Sequence, residues 1–164
     1  MPIYTQEIIQ STNESFRNLG YRICKVELAG KKFNFFEVPQ NRNPALPNFA
    51  IVLAGSRGED YVIGVSEAVE EAFKPLWAFH EYVEIVEPGA DQKIKCVDAL
   101  KQEIDASRVI LASADQFPRY IKARKQFFEN LINYVAERPA HYNQSLIPEF
   151  KESLEHLVSL EAGL

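Results

Sequence analysis

A chain of 164 residues with 46% hydrophobic and 25% charged side chains is long enough to bury a core without staples and too apolar to be disordered. Its formal net charge of −5 and scattered lysines and arginines argue against nucleic acid or an anionic membrane surface as a partner, and the densest basic group, Lys122, Arg124 and Lys125, is expected on a solvated helix face. No basic, apolar leader opens the sequence and no run nears the roughly 20 apolar residues of a membrane span, so a cytoplasmic protein with a single α+β domain over residues 1–164 is expected.

In chain order, residues 5–18 carry helical spacing at Ile8, Ile9 and Phe16, and Gly20 marks a stop. "YRICKVEL" and "FNFFEVP" alternate in the strand manner on either side of "AGKK" and predict a hairpin. "NRNPALPN" predicts a loop. "FAIVLAG" and "DYVIGVSE", separated by "SRGE", predict a second antiparallel pair. Ser66 is a candidate N-cap for a helix from about Glu67 to Glu87, and Pro75 offers an alternative start near Lys74. Pro88 and Gly89 stop that helix, and Asp91 is expected to cap the next, "QKIKCVDALKQEIDAS", which "RVILASAD" either continues or leaves. Two more amphipathic helices are expected, Pro118 to Ala136 and Ile147 to Leu160, joined by "ERPAHYNQS". The fold class is therefore α+β: an N-terminal helix, a small antiparallel sheet of about four strands, then four helices packed against it.

Chemistry concentrates in "WAFHEYVEIVEPG". His80 projects between Phe73 and Leu76 on the apolar face of its helix, and Glu84 follows one turn later on the same side. Donors at i and i+4 on one rigid helix can grip a single metal ion. On the next helix Cys96, Ala99 and Glu103 share a stripe, so Glu103 also points inward, where a carboxylate without a partner is costly. Cys24 and Cys96 are too few for a disulfide framework and read as small, reduced core residues.

The stretch His80-Glu81-Tyr82-Val83-Glu84 resembles the motif of the zincin metallopeptidases, and more narrowly of the gluzincins, in which H-E-x-x-H is followed after 18 residues by a glutamate ligand. Residues 85–102 separate Glu84 from Glu103, the same interval. The chain departs from the pattern by carrying Glu84 in place of the second histidine, which moves the implied donor set toward oxygen. The resemblance implies a zincin-like fold and one divalent metal (zinc, manganese or iron) on His80, Glu84 and Glu103. It further implies Glu81 as general base and a peptide laid along an edge strand, either "FAIVLAG" or "DYVIGVSE". An oxyanion donor in such a site is a tyrosine or histidine, for which His141 and Tyr142 are the candidates; His156 reads as a surface residue.

Two function classes follow. One is a metal-dependent peptidase or its catalytically inactive descendant. The other is a non-enzymatic module of regulatory, antitoxin or immunity type that binds a protein partner, holds no metal, and uses His80, Glu84 and Glu103 as an internal polar network. The environment of Glu81 discriminates them: without a partner beside a cleft it favours catalysis, and salt-bridged away from a cleft it favours the module.

Overall fold

Ile9 and Phe16, two helical turns apart, give the first helix one apolar stripe, and Thr5 closes its N-terminus by accepting a hydrogen bond from the Ile8 N–H (3.3 Å). This is α1, Gln6–Asn18, in a computed structural model that describes residues 3–56 and 60–164. The expected hairpin follows as β1 (Ile23–Leu28) and β2 (Lys31–Val38). Leu28 pairs with Lys31, so the turn is the two residues Ala29 and Gly30, both left-handed (φ 53° and 75°), the geometry that matches strand twist. Strands β3 (Ala50–Ala54) and β4 (Tyr61–Ser66) form the second antiparallel pair; the turn expected at "SRGE" falls largely outside the described residues.

The two hairpins do not join as an antiparallel sheet. The strand order is β1-β2-β4-β3, and β2 meets β4 in parallel through Phe36↔Gly64, Glu37↔Val65 and Val38↔Ser66. The expectation of an all-antiparallel sheet is thus corrected to a mixed one. The physical cause is the proline-rich loop after β2, which is long enough to skip one strand position, about 10 Å. Gln40 pins that loop over the end of β4: its amide donates to the carbonyls of Asn43 and Leu46, and its oxygen accepts from the Asn48 N–H and the Ser66 hydroxyl (2.5 Å). As a result "DYVIGVSE" is interior and "FAIVLAG" is an outer edge of the sheet.

Alternation along the strands builds two layers of core. Phe36, Val38 and Val62 pack under α1 with Ile9, Phe16 and Phe49. Phe33, Phe35, Val52, Ile63 and Val65 pack against the later helices.

Ser66 caps only a short turn, accepting from the Ala68 N–H, and the next α-helix begins where the alternative start lay: α2 is Lys74–Glu81, with Pro75 in its first turn, where its missing N–H costs nothing. After Glu81 the helix widens into a π-turn, Tyr82–Val86, whose wide spacing is marked by the Glu87 N–H reaching the Tyr82 carbonyl (2.8 Å). Gly89 ends it at φ 91°; a Cβ there would lie 2.0 Å from the Ser56 carbonyl oxygen. Asp91 does not cap the next helix. It sits in a 3-10 turn, Ala90–Gln92, and α3 runs from Cys96 to Ile110. Helices α4 (Gln116–Ala136) and α5 (Leu146–Ala162) complete the layer and pack on each other. Among the described residues no helix is long and apolar enough to cross a membrane.

Candidate metal centre

His80 lies near the C-terminal end of α2, buried (4% exposed) where α2, α3, α4 and the π-turn meet. Its two ring nitrogens face different surroundings. Nδ1 is 3.0 Å from Glu103 Oε1 on α3, and Glu103 is fully buried. Arg124 of α4 grips the same carboxylate with two parallel hydrogen bonds, Nε to Oε2 (2.8 Å) and Nη2 to Oε1 (2.7 Å), and the Tyr120 hydroxyl donates to Oε2. Four donors thus fill the four lone-pair positions of Glu103. Burial alone would raise the Glu103 pKa, but Arg124 and His80 outweigh it and hold the carboxyl at about 2. Since an ionised carboxylate only accepts, His80 Nδ1 carries a hydrogen.

Arg124 is itself buried, against the expectation that the Lys122, Arg124 and Lys125 group faces solvent. Its guanidinium lies 3.9 Å from the Trp77 ring centroid, a contact worth about 0.5–2 kcal/mol. The reason is one of phase: three basic residues within four positions of a helix point in different directions, and Arg124 shares its side of α4 with Tyr120, Phe127 and Phe128.

Around Nε2 the arrangement is open-ended. Glu84 Oε2 stands 2.8 Å from it, and Cys96 Sγ, at the first position of α3, 3.7 Å. The ligating atoms of His80, Glu84 and Cys96 all lie within 4.8 Å of one another, a group that could hold a metal ion. Ser153 of α5, fully buried, donates from its hydroxyl to Cys96 Sγ (3.2 Å). Burial pushes the Cys96 thiol up, against the pull of His80 and Ser153. Burial would lower His80, but its bonds to Cys96, Glu103 and Glu84 prevail and hold the imidazole well above its usual value. An imidazole nitrogen, a carboxylate oxygen and a sulfur can converge either around a proton on Nε2, which then donates to Glu84, or around a metal ion to which all three give an electron pair.

The donor set fits a metal. Tetrahedral coordination at zinc-like bond lengths spaces nitrogen and sulfur by about 3.5 Å and nitrogen and oxygen by about 3.3 Å; the 3.7 Å between Nε2 and Sγ is close to the first, and the Glu84 oxygen, 2.8 Å from Nε2, would have to draw back from it. The partner on Nδ1 is the carboxylate that metal-binding histidines commonly have behind them.

The group forms part of the floor of a cleft of about 900 Å³ bounded by β3, α4 and the loop between α4 and α5. Glu81 lines this cleft too, half-buried, and makes no hydrogen bond or ion pair among the described residues. Burial first, then the neighbouring Glu84, raises its pKa to about 7. His141 and Tyr142 line the cleft from the loop, both exposed, with the Tyr142 hydroxyl donating to the Tyr134 hydroxyl (3.2 Å). Burial, and then that bond, push Tyr142 up to about 12.

The structure therefore brings Glu81, His141 and Tyr142 to one cleft with His80 and Glu84, and sets Glu103 behind the imidazole, bound to Arg124. It also brings in four residues that sequence reasoning did not assign to the site. Cys96 lay on the Glu103 stripe but was read as core; Tyr120, Arg124 and Ser153 gave no signal, since each reaches the site from another helix.

The outer edge of β3 is the remaining wall. Phe49 accepts from the Ser66 N–H, so Phe49, Ile51 and Leu53 turn their backbone groups to β4, while Ala50, Val52 and Ala54 turn theirs outward. The Ala54 carbonyl accepts from the Tyr4 N–H (3.4 Å), and the edge at Ala50 and Val52 faces the cleft. Neither a protein-family model, nor a curated protein, nor a solved structure matches the chain.

Proposed function

We propose that this protein is a zincin-like, metal-dependent hydrolase acting on extended peptides. His80 and Glu84 hold a divalent metal together with Cys96, and Glu103 orients His80 from behind. The observation that carries the reading is Glu81: it adjoins the donor group, opens to the cleft and lacks a partner among the described residues, which is the environment a general base requires. A divalent metal bound there supplies a Lewis acid and an activated water at neutral pH. The Glu81 carboxylate takes the proton of the attacking water and returns it to the leaving amine. His80 is kept in one tautomer and one orientation by Glu103, which Arg124 and Tyr120 hold in place. A peptide strand pairs with the outward groups of Ala50 and Val52 and so lies across the donor group. Tyr142 and His141 stand on the opposite wall as candidate donors to the oxygen of the scissile carbonyl.

An interaction module whose polar network is purely structural accounts for Glu103, Arg124 and Tyr120. It accounts equally for the His80–Glu84 contact, with a proton on Nε2, but gives no reason for Glu81 to stand in the cleft without a partner among the described residues. The line Cys96, His80, Glu103 also has the order of a cysteine nucleophile, its base and an orienting carboxylate. Glu84, however, stands closer to Nε2 than the sulfur does, and the thiol is only 3% exposed. The test is a peptide-library digest by zinc-loaded protein. Cleavage lost in Glu81→Gln with metal content unchanged supports the hydrolase; no cleavage by the loaded wild type leaves the inactive descendant or the module.

A further inference from the structure

We infer that Cys96 makes this a sulfur-containing site that selects a thiophilic divalent metal of the zinc class over magnesium or manganese, with Ser153 as the residue that positions the sulfur. The inference rests on the proposed metal centre and narrows which metal it takes.

Three observations carry it. Cys96 Sγ lies 3.7 Å from His80 Nε2, close to the separation of two ligands on one tetrahedral ion, whereas Glu103, the carboxylate at gluzincin spacing, has every lone pair engaged. Replacing the second carboxylate oxygen by sulfur changes which ions bind well: thiolate and imidazole suit zinc, cobalt(II) and iron(II), while manganese and magnesium need oxygen-rich shells. Finally, Ser153 reaches Cys96 from α5 and is wholly buried, so its O–H engages one sulfur lone pair and holds the sulfur in place beside His80 Nε2. A buried cysteine serving as a small core residue has no use for a hydroxyl donor, and the hydroxyl itself is costly to bury without this bond.

The experiment uses the full chain, purified without an affinity tag, in a Cys24→Ser background so that Cys96 is the one remaining thiol. Zinc, cobalt(II) and manganese(II) are titrated separately. The expected result is one equivalent of cobalt with a near-ultraviolet thiolate-to-cobalt absorption, and zinc bound at least about 100-fold more tightly than manganese. Cys96→Ser loses the absorption and weakens zinc by about 10- to 100-fold. Ser153→Ala retains the absorption at a shifted energy and weakens zinc about 10-fold, an effect that a packing role alone does not produce. The absorption in the Cys24→Ser protein stands as evidence even if Cys96→Ser fails to fold. One equivalent of cobalt without the sulfur band, or manganese held as tightly as zinc, overturns the sulfur donor while the centre on His80 and Glu84 stands. If none of the three metals binds, both are overturned.

Discussion

The two sides of the His80 ring differ in how completely their polar groups are matched. On the Nδ1 side, Glu103 receives His80, Tyr120 and both arms of Arg124, and Arg124 is roofed by Trp77. On the Nε2 side, Glu84 and Cys96 gather around one nitrogen, and Glu81 lines the cleft without a partner among the described residues. A buried network that only holds helices together gains by matching every group, and the Nδ1 side does so. An excess of electron-pair donors beside a cleft is instead what a site for a cation and a reacting molecule needs. One residue thus joins a fully matched scaffold to the proposed metal centre.

That contrast breaks most readily at Glu81. Glu81→Gln is expected to lower peptide hydrolysis by about 10²- to 10⁴-fold without changing metal content, measured as kcat/KM on the best library peptide. Next in size is the scaffold side: Glu103→Gln leaves Arg124 buried without its counter-charge and should cost about 3–5 kcal/mol in urea unfolding.

Acid gives a third measure. Glu103 titrates near 2 when folded and near its ordinary value, about 4.5, when unfolded. The unfolded state therefore binds more protons between those limits, and the stability Glu103 contributes, up to about 3 kcal/mol, is complete above pH ~4.5 and lost as pH falls toward 2. Glu103→Gln should flatten this limb of the stability profile.

The smallest effect has the opposite sign. Glu81, raised to about 7, binds its proton more tightly folded than unfolded, so it costs stability as pH rises from about 4.5 through 7. Glu81→Gln should be more stable than wild type by about 1–3 kcal/mol at pH 8 and equal to it at pH 4, judged by thermal unfolding of the metal-free protein. A variant that is destabilised at pH 8 would show Glu81 to be a structural residue.

How far the sequence revealed this depends on the range of each interaction. The elements themselves were legible because periodicity is local: Ile9 with Phe16 for α1, Phe33 with Phe35 for β2, and the i, i+4 placement of His80 and Glu84. The parallel join of β2 to β4 was not, since nothing within either strand records which neighbour a loop will deliver. Glu103 was legible as an inward carboxylate from its stripe, yet its partners were not, because Arg124 and Tyr120 come from the next helix but are fixed only by tertiary packing. Cys96 shows the limit most sharply: an apolar neighbourhood fits a core thiol and a ligand equally, and the contact that favours the proposed ligand role comes from Ser153, 57 positions away.

The most direct test of the metal centre is elemental analysis by plasma mass spectrometry of protein made without tag or chelator, beside His80→Ala/Glu84→Ala. About one zinc-class ion per chain in the wild type, absent from the double variant, is the expected result. No stoichiometric metal in either protein, even after zinc is added, would contradict it and leave the Nε2 side of His80 as a second structural network.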